Sequence, residues 1–186
     1  MQTKNKLIVI LALTAIIVVA FFVFSEKTDD EVTGLSPNIV STMKITSLSF
    51  QNNEALPVKY TCDGKGVNPP LSISDVPKDA KSLVLIFRDP DAPSGDFVHW
   101  TVWNINPGLT EIAENSVPGV EGITSYGKSG YGLPCPPSGT HRYTFQLYAL
   151  DTLLDISPRI DASQLEKAMQ GHILDKAELV GMYSRS

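Results

Sequence analysis

The strongest pattern in the chain is the run "RYTFQLYAL", where Tyr143, Phe145, Leu147 and Ala149 alternate with Arg142, Thr144, Gln146 and Tyr148. A period of two predicts a strand with one buried face. Similar alternating or β-rich runs predict strands over Lys44–Phe50, Leu56–Thr61, Leu71–Ser74, Ser82–Arg88, His99–Ile105, Ile123–Tyr126 and Glu178–Ser184. Between them lie "CDGKGVNPP", "DPDAPSGD" and "NPG", whose Pro, Gly, Asn and Asp residues favour turns. One segment has helical spacing instead. In "DASQLEKAMQG", Asp161 and Gln164 form a capping-box pattern, Leu165, Ala168 and Met169 share a face, and Gly171 stops the helix. His172 to Lys176 reads as a further turn or two. Many short strands and one late helix predict a mainly β chain: an antiparallel sandwich with a small C-terminal helical appendage. No internal repeat or low-complexity block interrupts it.

The N-terminus obeys different rules. Leu7 to Phe24 is apolar except for Thr14, with Lys4 and Lys6 before it and Glu26, Asp29, Asp30 and Glu31 after it. A bilayer-spanning helix needs roughly 17 to 25 apolar residues, and this run meets the lower bound. Large side chains, Phe21, Phe22 and Phe24, occupy the place of the small residues that signal cleavage needs. The reading is an uncleaved transmembrane anchor at the cell membrane; the alternative is a secreted protein released by signal cleavage. The lysines before the run place the C-terminal part of the chain outside the cytoplasm. Residues 25–43 are polar and aperiodic and read as a tether. The organisation is therefore an anchor over 1–24, a tether over 25–43 and one folded domain over 44–186.

Charge and cysteines narrow the function classes. The chain carries a formal −5 and is more acidic still once Lys4 and Lys6 are set aside. No basic cluster exists to neutralise a phosphate backbone, so nucleic acid is not an expected partner. Cys62 and Cys135 are the only cysteines. In an exported domain they predict a disulfide, with two buried free thiols as the alternative.

Most catalytic motifs fail on inspection. "DPDAPSGD" begins like a calcium loop, but Ser94 and Trp100 stand where an EF-hand needs Gly and Glu. "GKSGYG" lacks the glycine order of a dinucleotide fingerprint, and Ser138 has no nucleophile elbow. No catalytic residue, metal or cofactor is expected. What remains is Asp89, Asp91, His99, His141 and Tyr143, each at a strand end or in the adjoining loop. Singly, each fits a turn cap or a half-buried histidine. Together, with two of the three histidines at similar junctions, they predict convergence at one end of the sandwich.

"DPDAP" followed by "HW", then "PPSGTHRY" entering a long aromatic strand, resembles the phosphatidylethanolamine-binding protein family. "VKYTCDGKGVNPPLS" and "AMQGHILDKAELVGMYSR" resemble its prokaryotic, Raf-kinase-inhibitor-like branch. The resemblance spans Ile45 to Arg185. It implies a two-sheet β-sandwich with a pocket for phosphate-like head groups, formed by Asp89, Asp91, His99, Pro136, His141 and Tyr143. Two departures from the mammalian branch stand out: a single histidine after Val98, and Cys135 where that branch has glycine.

The histidines, when protonated, and Tyr143 would donate to an anion. Asp89 would orient an imidazolium. Arg142, on the opposite face from Tyr143, is assigned to structure. The expected function is a membrane-tethered extracytoplasmic binding module for a small anionic ligand, such as phosphate or a phospholipid head group. Regulation of a protein partner, or a homodimer, is left open. Three alternatives remain: a protease inhibitor of the same fold, a hydrolase, and a metal site built from His99, His141 and a carboxylate.

Overall fold

The structure is a computed structural model that describes residues 42–185. The expected anchor and nearly all of the tether lie outside the described residues. Among the described residues, no helix is long and apolar enough to cross a membrane.

Among the described residues there are nine strands and one α-helix: β1 (Lys44–Thr46), β2 (Glu54–Ala55), β3 (Leu71–Ser74), β4 (Ser82–Asp89), β5 (Phe97–Ile105), β6 (Glu111–Ile112), β7 (Val120–Glu121), β8 (Thr140–Leu150), α1 (Ala162–Met169) and β9 (Ile173–Ser184). They make a three-stranded sheet, β1-β3-β6, and a six-stranded sheet, β2-β9-β8-β4-β5-β7. The expected antiparallel pairing holds except at one edge, where β2 runs parallel to β9.

The alternation along β8 is realised. Tyr143, Phe145, Leu147 and Ala149 are fully buried and join Leu83, Leu85 and Phe87 of β4 in a core shared with Ile45, Leu71, Ile73 and Ile112 of the small sheet. Phe87 stacks on Phe145 with ring centroids 4.0 Å apart. Burying each such side chain stabilises by about 1.5–3 kcal/mol. The opposite face of β4 and β5 carries Val84, Ile86, Val98 and Trp103, covered by Ala162, Leu165 and Met169 of α1. The capping box of α1 is complete: Asp161 accepts from Gln164 N at 2.9 Å, and Asp161 N donates to Gln164 Oε1 at 3.1 Å.

Several expected boundaries move, each for a local reason. Leu56–Thr61 is not a strand; Val58–Tyr60 is a 3-10 turn opened by Pro57, whose fixed φ and missing N–H suit a helix start. Leu56, Tyr60 and Thr61 are buried there, while Val58, which the alternation puts on the same face as Leu56 and Tyr60, is 52% exposed, so the alternation is illusory. Ile123–Tyr126 is a turn, because Thr124 Oγ1 bonds Lys128 O and accepts from Tyr126 N. His172 to Lys176 does not extend the helix. Gly171 (φ 80°) ends it, and β9 begins at Ile173 to pair with the whole of β8. The inward position Asp175 disguised that start: its buried carboxylate accepts the backbone N–H groups of Thr42 and Met43. β1 stops at Thr46, since Ser47 Oγ accepts from Ser49 N and donates to Pro70 O. Two-residue β6 and β7 and short β2 leave no periodic trace at all.

Candidate functional site

β8, β4 and β5 are neighbours in the large sheet and alternate in direction. The end of β4 therefore meets the beginnings of β5 and β8. Asp89 closes β4, His99 sits near the start of β5, and His141 and Tyr143 sit near the start of β8. The four side chains line one cavity of about 180 Å³, as the loop-and-strand grammar of the sequence predicted for them.

The electrostatic centre is a buried pair. His141 Nδ1 lies 2.7 Å from Asp89 Oδ2, with both side chains under 10% exposed. The other carboxylate oxygen, Asp89 Oδ1, accepts from Asp91 N at 2.9 Å. Asp89 thus fixes the ring by its Nδ1 and the loop after it, leaving His141 Nε2 the free edge of the ring among the described residues.

His99 behaves differently from the expectation of a second imidazolium. It is 3% exposed, and burial pulls its pKa down to about 4, against the opposing influence of the Gly132 carbonyl and Asp89. The ring is therefore neutral near pH 7. Its Nδ1 is 3.1 Å from Gly132 O. A carbonyl only accepts, so Nδ1 carries the proton and Nε2 is a bare acceptor. Tyr143 is fully buried, and its hydroxyl has no hydrogen-bond partner among the described residues. Burial first, then the Asp89 charge, raises its pKa well above the usual phenol value, so it stays a donor. Asp89 is close enough to perturb this group without meeting hydrogen-bond geometry.

Two expected site residues do not line the cavity. Asp91 turns away and grips Arg142: its Oδ2 accepts from Arg142 N and Nε at 2.9 Å each, and its Oδ1 from Nη2 at 2.7 Å. Those bonds hold its pKa down to about 2. It is a brace between the rim loop and β8, which also gives Arg142 the structural part assigned to it. Pro136 is buried, and the exposed Pro137 lines the cavity in its place. Ala92, Pro93, Ser94, Phe97 and Tyr126 also line the wall, and none of them was expected there from the sequence. The ring of Tyr126 meets Phe97 edge-on at 4.8 Å. An aromatic residue at a strand start, like Phe97, was a usable signal; Tyr126, in a turn far along the chain, gave none.

Cys62 and Cys135 form the predicted disulfide, with Cα atoms 5.5 Å apart, inside the usual range. Cys135 lines the cavity, so the bridge ties its rim to the turn after Tyr60. A larger cavity of about 480 Å³ lies on the far side of the large sheet beside α1. Its one cation, Arg88, is already committed to Asp96 at 2.6 Å and to Glu166. Among the described residues, that cavity has no histidine and no unpaired positive charge to offer an anion. Nor is any group of three or more His, Cys, Asp or Glu among the described residues arranged to hold a metal ion.

The profile of the phosphatidylethanolamine-binding proteins matches residues 46–184. The chain belongs to that family. Within it, a UPF0098 protein of Methanothermobacter thermautotrophicus is 46% identical over 151 residues, covering 77% of this chain and 99% of the relative. One from Pyrococcus horikoshii is 46% identical over 154 residues, covering 77% of each. Two crystal structures share the fold of this phosphatidylethanolamine-binding protein family member. A putative homolog from Chlamydia trachomatis superposes with a TM-score of 0.76 at 44% identity, covering 78% of this chain and 99% of its own. YbcL of E. coli, described as a new member of the mammalian family, gives 0.72 at 27% identity, with 77% and 99% covered. The family expected from the "DPDAP" and "PPSGTHRY" segments is thus the family found.

Proposed function

We propose that this family member is a binding module whose cavity takes a small anion of the phosphate type, and not an enzyme. The observation that carries this reading is the fully buried hydroxyl of Tyr143, unpartnered among the described residues beside the Asp89–His141 pair. A buried donor left unsatisfied costs about 1–3 kcal/mol, which an anion's oxygen would recover. His141 Nε2 supplies a second donor whenever its ring carries both protons. The loop bearing Pro93 is held by Asp89 and Arg142, so little ordering accompanies binding. The domain is read as tethered outside the cytoplasm, supported by the apolar run Leu7 to Phe24 and by the disulfide.

The test is calorimetric titration of the purified full chain with inorganic phosphate. Saturable binding is expected, weakened about tenfold or more in His141→Ala, since a hydrogen bond to a charged group contributes about 1.5–3 kcal/mol. His172→Ala, whose ring pairs with Asp151 at 2.8 Å away from the cavity, leaves it unchanged. Equal affinity in wild type and His141→Ala ends the assignment.

A further inference from the structure

Three large apolar side chains that face water lie around one end of the small sheet. Leu48 is 93% exposed, the most of any large apolar side chain among the described residues, and Val58 and Val117 are 52% and 58% exposed. Scattered singly such residues are ordinary; gathered, they mark a contact surface. The topology gathers these. β3 runs antiparallel to both β1 and β6, so the ends of β1 and β6 meet the start of β3. There Ser47 Oγ donates to Pro70 O at 2.7 Å. Asn68 Nδ2 donates to Ala113 O, and its Oδ1 accepts from Ser116 N, both at 3.0 Å. Leu48 and Val117 directly follow Ser47 and Ser116. Val58 is drawn in by its own neighbours. Lys59 Nζ reaches Glu114 Oε1 at 2.6 Å, and Tyr60 OH donates to Glu114 Oε2 at 3.1 Å. A phenol has one proton, so Ser49 Oγ, 2.8 Å away, donates to Tyr60. Ser47 and Ser49 are thus both tied inward, which holds Leu48 outward between them.

Charge selects the occupant. The chain carries a formal −5, so most of its surface repels a second copy. This patch is different, because Lys59 and Glu114 supply both signs and both are partly exposed. Lys65 stands near enough to Glu114 to feel its charge and adds a further cation. A twofold axis through such a patch sets lysine against glutamate twice, around an apolar centre. An anionic lipid surface would instead repel Glu114. The contact is small, of the weak class that buries under roughly 1,200 Å² in total. On the reading that Leu7 to Phe24 anchors the chain, copies share one membrane, and that confinement raises their effective concentration enough to populate a weak contact.

We propose that two copies of this chain pair about a twofold axis through Leu48, Val58 and Val117, with Lys59 of each copy against Glu114 of the other. None of these residues lines the anion cavity, so the pairing stands or falls separately from it.

The experiment reconstitutes the full chain, as an equal mixture of light and heavy-isotope protein, into phosphatidylcholine vesicles. A carbodiimide then joins amines to carboxylates in direct contact, and mass spectrometry reads the linked peptides. Peptides joining Lys59 to Glu114 with one light and one heavy half are expected, and these arise only between copies. Leu48→Asp, at a side chain too exposed to matter for folding, should cut them about tenfold or more, because burying a leucine is worth roughly a factor of ten and a twofold axis counts the change twice. Leu153→Asp, the same change at an exposed position outside the patch, should leave them as they are. Finally, light Lys59→Glu protein is mixed with heavy Glu114→Lys protein. Neither variant can link positions 59 and 114 within itself, yet across the twofold axis each charge meets its opposite, so mixed links between those positions should return. Wild-type links that never mix isotopes overturn the pairing. So do mixed links that persist undiminished in Leu48→Asp, or charge variants that stay unlinked when combined.

Discussion

Replacing Tyr143 by Phe should make the protein more stable and its anion site worse. The aromatic ring of Tyr143 is fully buried, packed 6.1 Å from Phe87 and 5.4 Å from His99 between ring centroids, and Phe preserves that packing. Only the hydroxyl disappears, and it has no protein partner among the described residues. Removing an unsatisfied buried donor should relieve part of the roughly 1–3 kcal/mol that it costs, about 1 kcal/mol once any trapped water is allowed for. For a chain of this size that raises Tm by about 2–4 °C. The same change deletes a donor to the ligand, so the Kd for phosphate should rise about tenfold. Thr101→Val is the control. Among the described residues, Thr101 Oγ1 is the other buried hydroxyl without a partner, and it lies next to Gly122 and outside the cavity. Its removal should raise Tm comparably and leave phosphate binding alone. Differential scanning calorimetry and phosphate titration on the three proteins decide it. A lower Tm for Tyr143→Phe, or an unchanged Kd, would refute the claim that this hydroxyl is held unsatisfied for a ligand.

Three further outcomes rest on the same geometry. The Cys62→Ser, Cys135→Ser double variant should lose about 4 kcal/mol in urea unfolding, the loop-closure value for a separation of 73 residues, and non-reducing peptide mapping of the wild type should recover the linked pair. His99 has a folded pKa of about 4 against 6.5 in the unfolded chain, so the unfolded state takes up its proton first. Stability should therefore fall as pH drops from about 6.5 to 4, by about 3 kcal/mol from this group, and the decline should be shallower by that amount in His99→Asn. Asp91, with its folded pKa down to about 2 from 3.8, contributes stability present above pH 4 and lost as pH falls through 2; because the pair is partly exposed, Asp91→Asn should cost only about 1 kcal/mol at pH 7 in urea unfolding, and nothing near pH 2.

Local periodicity and turn chemistry made much of this legible in advance. The inward face of β8, the capping box of α1 and the position of β4 are each set by neighbours within a few residues. The convergence of Asp89, His99, His141 and Tyr143 was readable because Asp/Pro loops and histidines recur at strand junctions. What escaped depends on distant partners. Whether Asp91 faces a ligand or Arg142 is decided by a residue far along the chain. The charge of His99 depends on how completely Phe87, Phe97 and Tyr126 enclose it. The start of β9 was hidden because Asp175 is a polar residue in an inward position; besides its neighbour Lys176 N, its carboxylate accepts from the distant backbone of Thr42 and Met43.

That last contact also determines how the domain would respond to being pulled. Tension applied along the chain at Thr42 arrives first at two hydrogen bonds held by one buried carboxylate, then at the three-residue β1 and its pairing with β3. The strands that carry the cavity, β4, β5 and β8, pair with neither β1 nor β3. The clip at Asp175 is the mechanical fuse of the molecule: under load it should yield, with β1 peeling from the small sheet, while the cavity keeps its shape.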